Sequence, residues 1–170
     1  MDRDKIIEAL RSMVLIVDTR EHITDEYLMR VDDTGLPYTR RKLDFGDYAC
    51  QVTLDTGAVL SFEKSHVVER KMSLDELASC FGAQRDRFVE EFERAKTARA
   101  KTYLLVENGS LDKIINHSYQ SKMHPNAFLA SLFAFMARYR CKVIFCTPMN
   151  TGRVIREIMM RETAERLATI

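Results

Sequence analysis

Hydrophobic and polar residues alternate along the chain with two different periods, and the changes of period divide it into helices and strands. Charged and apolar residues at helical spacing over residues 2–12 predict a short first helix. The continuous apolar run at residues 13–17 stops at Asp18 and predicts a buried strand. The polar segment at residues 19–41, which contains a glycine and a proline, predicts a loop that carries a helical turn.

The pattern becomes β-like from Tyr48 onward. Alternating residues around a turn signal at 55–57 predict a β-hairpin, and residues 67–71 predict another short strand. Ser73 and Glu76 then have the spacing of a capping box, so a helix should begin there. Two further strands are predicted, at 102–106 and 142–146. The remaining predicted helices are a charged one at 85–98, a short one that begins at Ser110, one from Pro125 to Tyr139, and a last one that Asn150 caps and that ends at about Leu167. One mixed α/β domain over residues 1–170 accounts for all of them.

Composition is that of a folded globular protein rather than a disordered one, with 46% hydrophobic and 30% charged residues. The formal net charge is only +1, so a surface that binds phosphates would have to arise from local clustering. The four cysteines form no CxxC pair, which favours buried thiols in a reducing compartment over a zinc site. No stretch approaches the ~18 apolar residues of a membrane span. We therefore expect a cytoplasmic protein, or a nuclear one in a eukaryote.

Candidate chemistry lies within residues 46–75. Side chains two positions apart on a strand point the same way, so Glu69 and Lys71 should face one side together. A carboxylate beside an ammonium suits phosphodiester hydrolysis, because the carboxylate can bind Mg²⁺ while cation and amine favour ionisation of a water. Asp47 could supply a second carboxylate, and Asp18 ends another apolar strand. Spacing alone leaves a solvated strand face as an equal alternative; the surrounding hairpin and capped helix favour a site.

These residues also resemble a known family. Gly46-Asp47-Tyr48, Glu69-Arg70-Lys71 and Asp75 form the pattern G-D-x(n)-E-R-K-x(3)-D. That pattern is similar to the nuclease domain of the XPF family, which includes the archaeal Hef nucleases, within the PD-(D/E)xK superfamily. The segment from Val17 to Glu21 resembles the V-D-x-R-E that opens this domain in the family.

The resemblance implies an endonuclease that cuts branched or otherwise distorted DNA with Mg²⁺ or Mn²⁺. It implies that Asp47 and Glu69 bind the metal and that Lys71 polarises the nucleophile. Asp18 would lie near the metal, as a further ligand or as an outer anchor. The other catalytic or supporting positions that it implies are Arg20, Glu21, Arg70 and Asp75.

Two of these positions have a second interpretation. Strict alternation turns Arg70 away from Glu69, so an ion pair beneath the site is as good an expectation as a phosphate contact. Asp75 lies in the first turn of a helix, where a carboxylate stabilises the helix through its dipole. Both alternatives stay open from the sequence.

Two basic groups are candidate phosphate contacts. Arg40, Arg41 and Lys42 precede the expected site by a few residues, which favours DNA binding. Arg85 and Arg87 begin a second group on the charged helix. There a solvated helix face is the favoured interpretation, because acidic residues are interleaved with the basic ones: Asp86, Glu90, Glu91 and Glu93.

The sequence, together with this resemblance, predicts a restriction-endonuclease-like α/β fold, which is a mixed central β-sheet flanked by α-helices. The predicted function is that of a Mg²⁺-dependent DNA endonuclease in repair or recombination. Nothing in it resembles the helix-hairpin-helix or helicase modules found in relatives. A separate DNA-binding subunit is therefore an expected partner. The resemblance also implies that the apolar segment at 127–135 can contribute to dimerisation, so a homodimer is a second expectation. The alternatives are a non-catalytic DNA-binding or scaffolding subunit and a nuclease of the Holliday-junction-resolvase type.

Overall fold

The computed structural model describes residues 1–170, which form seven strands and seven α-helices. The strands are β1 (Val14–Val17), β2 (Tyr38–Arg40), β3 (Tyr48–Thr53), β4 (Val59–Ser61), β5 (His66–Lys71), β6 (Lys101–Glu107) and β7 (Lys142–Cys146). The helices are α1 (Arg3–Arg11), α2 (Asp25–Asp33), α3 (Leu74–Phe81), α4 (Arg85–Thr97), α5 (Leu111–Ile115), α6 (Pro125–Tyr139) and α7 (Thr151–Ala168). The predicted mixed α/β fold is confirmed, with every predicted helix and strand present.

Short polar side chains start several helices where the sequence predicts a cap. The Ser73 hydroxyl accepts the Glu76 N–H at 3.1 Å, and Glu76 reaches back to the Met72 N–H at 2.7 Å. Ser110 caps α5 in the same way, through the Lys113 N–H. These hydroxyls satisfy N–H groups that a helix leaves without an internal partner, which fixes where each helix begins.

Two local predictions are wrong. The segment predicted as a loop contains α2, capped by Thr24, and the three-residue strand β2. Only Tyr27 and Val31 give α2 a buried apolar side, too few to show a helical period. Asn150 precedes α7 as predicted, but it ends a 3₁₀ turn and its amide donates to Thr147 Oγ1, so it does not cap the helix.

The sheet has the strand order β2-β1-β3-β5-β6-β7. The seventh strand, β4, is not part of this order and pairs with β3. β3 is antiparallel to β1 and β5, whereas β5, β6 and β7 run parallel. The ends of β1 and β5 and the start of β3 therefore meet at one edge of the sheet. Their register aligns Val17 with Tyr48 and Tyr48 with Val68, so the residues next to them are neighbours in space.

Helices cover both faces of the sheet. Leu15 and Leu105 face a core built with α1, α2 and α7, while Leu104 and Val106 face a second core built with α3, α4 and α6. Alternate residues of one strand thus enter opposite cores, as the pleat of a strand requires. None of the helices is both long and apolar enough to cross a bilayer.

Gly152, in the first turn of α7, permits the close approach of α2. A Cβ atom there would lie 2.2 Å from the Arg30 carbonyl oxygen and 2.8 Å from Asp33 Cβ. We expect Gly152→Ala to lower the free energy of unfolding by about 1–3 kcal/mol, because helix backbones would have to separate. Urea denaturation measures this, with the exposed Glu165→Ala on the same helix as control. Equal midpoints for the two variants would show that α2 moves aside without cost.

Candidate active site

A cavity of about 190 Å³ opens at the sheet edge where β1, β3 and β5 meet. Only two of its twelve lining residues are hydrophobic. Its charged lining consists of the carboxylates of Glu21, Asp47, Glu69, Glu76 and Glu91 and the cations of Arg20, Arg70, Lys71 and Arg87. The cavity therefore brings Asp47 together with Glu69 and Lys71.

Asp47 is fixed by the ladder of the sheet itself. Its N–H donates to the Val68 carbonyl and its own carbonyl accepts the Asp18 N–H, both at 2.8 Å. The chain reaches this position through Gly46, whose φ of +74° is strained for other residues. A Cβ on Gly46 would also lie 2.8 Å from Val67 Cβ. The Asp47 carboxylate then accepts the Arg70 N–H through Oδ2 at 2.7 Å, which leaves Oδ1 for other partners.

Glu69 and Lys71 point to the same side of β5, as their spacing predicts. They are 3% and 8% exposed, and Lys71 Nζ donates to Glu69 Oε1 at 2.5 Å. The other oxygen, Glu69 Oε2, is buried and has no hydrogen-bond partner. A buried carboxylate oxygen without a donor is costly, so this atom marks a place where a positive group would be stabilised.

The acidity of the two carboxyl groups reflects this crowding. Burial raises the pKa of Glu69 to about 7, even though the neighbouring Lys71 ammonium acts in the opposite direction. Burial and the nearby charges of Glu69 and Glu21 raise the pKa of Asp47 well above its ordinary value. Burial lowers the pKa of Lys71, but the Glu69 and Asp47 carboxylates outweigh that effect and raise it. Lys71 is therefore a cation at neutral pH, surrounded by more negative than positive charge.

Asp47 and Glu69 fit a hard divalent cation. Mg²⁺ takes oxygen ligands and usually retains several waters beside one or two protein carboxylates. The structure does not gather three or more Asp, Glu, His or Cys side chains into a metal-binding group. Two carboxylates with one unpartnered buried oxygen are thus the donor set that the chain offers.

The structure does not bring Asp18 into this set, although the sequence predicts it there. Asp18 is fully buried outside the cavity lining. Its Oδ1 accepts the Arg20 backbone and Nε donors, both at 2.7 Å, and its Oδ2 accepts the Leu43 N–H at 2.6 Å. Burial acts against ionisation, but the Arg20 guanidinium and these N–H groups outweigh it and lower the pKa of Asp18. Because both oxygens have donors, the geometry favours the outer-anchor role over that of a metal ligand.

Arg20 and Glu21 both line the cavity, as the resemblance implies, and each is held by further charges. Arg20 joins Asp18 to Glu91, the latter at 3.4 Å. Glu21 Oε2 accepts from Arg30 Nη2 and from the Tyr48 hydroxyl, both at 3.0 Å. Arg30 is a buried residue that the sequence analysis missed, because it lies on the unpredicted helix α2.

Arg70 makes the ion pair that strict alternation allows. Its Nε and Nη2 donate to the two oxygens of Glu107 at 2.9 and 2.7 Å. Glu107 also accepts the Thr151 hydroxyl at 2.7 Å, which ties the ends of β5 and β6 to the start of α7. Glu107, one residue beyond the strand predicted at 102–106, ends β6 and is therefore part of the support beneath the cavity.

Asp75 lies outside the cavity lining, whereas its neighbour Glu76 lies within it. Asp75 Oδ1 accepts the N–H groups of Gln120 and Ser121 at 2.8 and 2.6 Å, so it fastens the loop before α6. This geometry favours a structural role over the catalytic one. Glu76 is 3.9 Å from Lys71 Nζ.

The two basic groups are placed differently from each other. Arg40 donates to the carbonyls of Thr19 and Glu21, and Arg41 forms an ion pair with Glu63 at 2.7 Å. Of the first group, only Lys42 is exposed without a side-chain partner. In the second group, Arg85 and Arg87 are exposed on α4, and Arg87 reaches the cavity.

Glu91 is the residue for which the sequence interpretation is wrong. The interleaved charges of α4 predict a solvated helix face, but Glu91 is only 8% exposed and lines the cavity. The signal that identifies it is its spacing: Glu91 follows the buried Phe88 by three positions and precedes the buried Ala95 by four, so it lies on the inner stripe of α4.

We expect the Glu69 carboxyl to titrate near pH 7 in the metal-free protein. Carbon-detected NMR of the Glu69 carboxyl resonance over a pH series measures this pKa. Because the folded-state pKa lies above the ordinary value of 4.5, this group stabilises the fold below pH 4.5, and that contribution is lost as pH rises through about 7. Lys71→Met should raise the midpoint further, since Lys71 lowers it. A wild-type midpoint near 4.5 would contradict the burial of a charge at this site.

The fold is similar to that of XPF from Aeropyrum pernix, with a TM-score of 0.62, 22% identity, and coverage of 92% of this chain and 67% of that chain. A structure of XPF from Aeropyrum pernix in complex with DNA matches with a TM-score of 0.59, 22% identity, and coverage of 92% and 64%. The chain thus spans about two thirds of the length of these solved proteins. No curated protein sequence matches it significantly.

The ERCC4 domain, a family of nuclease domains, matches residues 17–157. This region covers most of the chain and includes every residue that lines the cavity. It also contains the G-D and E-R-K motifs on which the resemblance to the XPF nuclease domain rests, and that resemblance is confirmed. The chain belongs to the ERCC4 domain family.

Proposed function

We propose that the chain is a metal-dependent endonuclease that hydrolyses phosphodiester bonds in DNA at branched, flap or fork structures during repair or recombination. One observation carries the proposal: the buried, unpartnered Glu69 Oε2 lies beside Lys71 in a cavity that Asp47 also lines. Packing alone does not account for a buried and a half-buried carboxylate, both with raised pKa values, next to an ammonium. Hydrolysis of a phosphodiester uses such a set of groups.

Asp47 and Glu69 would hold Mg²⁺ or Mn²⁺, which when bound lowers the pKa of water and offsets phosphate charge. Lys71 is protonated at neutral pH, because the carboxylates around it raise its pKa. It can therefore donate a hydrogen bond to the attacking water or to a phosphate oxygen, but it does not serve as the base. Glu69 Oε1 orients the ammonium for that task.

DNA binding would use Arg87 in the cavity lining together with exposed cations elsewhere on the surface. Arg87 lines the cavity, and Arg85 and Lys42 are exposed without ion-pair partners, whereas Arg40 and Arg41 are already bound within the protein. The DNA complex of the Aeropyrum pernix protein supports the same class of ligand. Because Arg87 is the one cation of the cavity lining without an ion pair and the net charge is only +1, we propose that a second copy or a separate DNA-binding subunit contributes further contacts.

A non-catalytic DNA-binding or scaffolding subunit is the second candidate. It is favoured by the ion pair that already satisfies Lys71 and by the lack of a group of three or more metal-ligating side chains. The unpartnered Glu69 oxygen argues against it, since a purely structural ion pair would leave no buried acceptor empty.

Asp47→Asn and Glu69→Gln should each lower the cleavage rate at least about a hundredfold, because each removes charge that holds the cation. The assay uses labelled duplex, flap, fork and four-way-junction DNA with Mg²⁺, Mn²⁺ or EDTA. Asp4→Asn is the matched control, an exposed carboxylate on α1 with no contact to the cavity.

Three outcomes separate the candidates. Cleavage in EDTA, or full activity in both site variants, would contradict the assignment. Binding of branched DNA by the folded protein without any cleavage would indicate the scaffolding role. Preferential cutting of the four-way junction would indicate a nuclease of the Holliday-junction-resolvase type.

Arg87→Ala should weaken DNA binding and reduce the slope of log K against log salt concentration by about 0.9, the value for one lost duplex phosphate contact. Fluorescence anisotropy across a salt series measures both quantities. Arg11→Ala, an exposed cation on α1 away from the cavity, should leave the slope unchanged. Identical slopes for wild type and Arg87→Ala would place the DNA elsewhere.

A further inference from the structure

Helix α4 contacts the turn that precedes Asp47 at two points of opposite polarity. Glu91 Oε1 accepts the Gly46 N–H at 3.0 Å. One helical turn further along, Arg94 Nε donates to the Asp44 carbonyl at 2.8 Å. The backbone on either side of Phe45 is thus held by one acceptor and one donor from the same helix.

Glu91 also reaches the loop that follows β1. Arg20 Nη2 donates to Glu91 Oε1 at 3.4 Å and to the Leu43 carbonyl at 3.5 Å. These bonds are long, and Arg20 makes its shorter bonds to Asp18 at 2.7 Å. The Gly46 amide is therefore the main partner of the Glu91 carboxylate.

The carboxylate at position 91 is not explained by packing. The inner stripe of α4 is otherwise apolar, with Phe88, Phe92 and Ala95 buried on it. A leucine would fill that stripe without the cost of a buried charge. It would, however, leave the buried Gly46 N–H without its acceptor.

α4 is a rigid support for such a contact. Phe88 stacks on Phe135 of α6 at a centroid distance of 4.8 Å, and Phe92 lies edge-on to the same ring at 4.5 Å. Movement of α4 would break this aromatic cluster. The helix can therefore fix the position of the turn rather than follow it.

We infer that Glu91 is a positioning residue, which with Arg94 clamps the Gly46 turn onto α4 and thereby sets the Asp47 carboxylate opposite Glu69. The role rests on the proposed function, since it concerns the metal site. Glu91 acts through the Gly46 N–H and does not itself bind the cation. Residues that orient metal ligands in this way typically contribute 10- to 100-fold to metal affinity.

The experiment compares Glu91→Leu with Glu91→Gln, which keeps the acceptor oxygen for Gly46. Glu90→Ala, an exposed glutamate on the same helix, is the control. Mn²⁺ affinity is measured by electron paramagnetic resonance, and hydrogen exchange of the Gly46 amide is measured by NMR in the metal-free protein. We expect Glu91→Leu to bind Mn²⁺ about 10- to 100-fold more weakly and to exchange Gly46 faster. Glu91→Gln and the control should stay close to wild type.

A purely structural role would change the melting temperature and leave Mn²⁺ affinity intact in the folded variant, and that result overturns the inference. Equal losses in Glu91→Leu and Glu91→Gln would also overturn it, because charge rather than the hydrogen bond would then matter. If Glu91→Leu does not fold, Arg94→Met is the deciding variant, because it removes only the exposed donor to the Asp44 carbonyl. We expect Arg94→Met to weaken Mn²⁺ binding and to speed hydrogen exchange of the Gly46 amide.

Steady-state cleavage separates this inference from the proposed function. Where the wild type cuts DNA, Glu91→Leu should lose turnover at limiting metal while the KM for DNA stays within about threefold, since its DNA contacts are intact. Wild-type Mn²⁺ binding that depends on Glu91 without any DNA cleavage would refute the nuclease and leave the clamp standing. Undiminished cleavage by Glu91→Leu would refute the clamp alone.

Discussion

The buried contact between Glu69 and Lys71 is the interaction around which the rest of the site is arranged. One Glu69 oxygen holds the ammonium and the other has no partner, so the ion pair is satisfied on one side only. Burial of charged groups in this way costs stability unless other charges compensate. Asp47 adds a further carboxylate to the same cavity, and under the proposed function these two carboxylates would hold the cation beside Lys71.

The surrounding scaffold pairs several other charges near the cavity with short ion pairs. Arg20 binds Asp18, Arg30 binds Glu21, and Arg70 binds Glu107, each within 3.0 Å. These pairs connect the ends of neighbouring strands to α2 and to the start of α7. They hold the backbone that carries Asp47 and Glu69, neither of which forms an ion pair with an arginine. The Asp47 carboxylate and the ion pair of Glu69 with Lys71 are thus held by a scaffold of paired charges.

Local sequence signals predict every strand except β2 and every helix except α2, because hydrophobic period, caps and turn residues act over a few positions. The E-R-K spacing and the strand pleat were enough to place Glu69 and Lys71 on one side. The roles of Asp18 and Glu91 depend instead on which N–H groups the folded chain brings to them, from Leu43 and Gly46. Such long-range hydrogen bonds leave no periodic signal in the sequence, so a buried helical glutamate looked like a solvated one.

The central claim is that Asp47 and Glu69 share one divalent cation. Anomalous diffraction from crystals soaked in Mn²⁺ locates that ion directly. The account predicts a single peak within coordination distance of Glu69 Oε2 and of an Asp47 oxygen, with Asp18 still bonded to Arg20 and Leu43. A Mn²⁺ peak at Asp18 would contradict this claim. The absence of any peak in the cavity, with Lys71 still bonded to Glu69, would also contradict it.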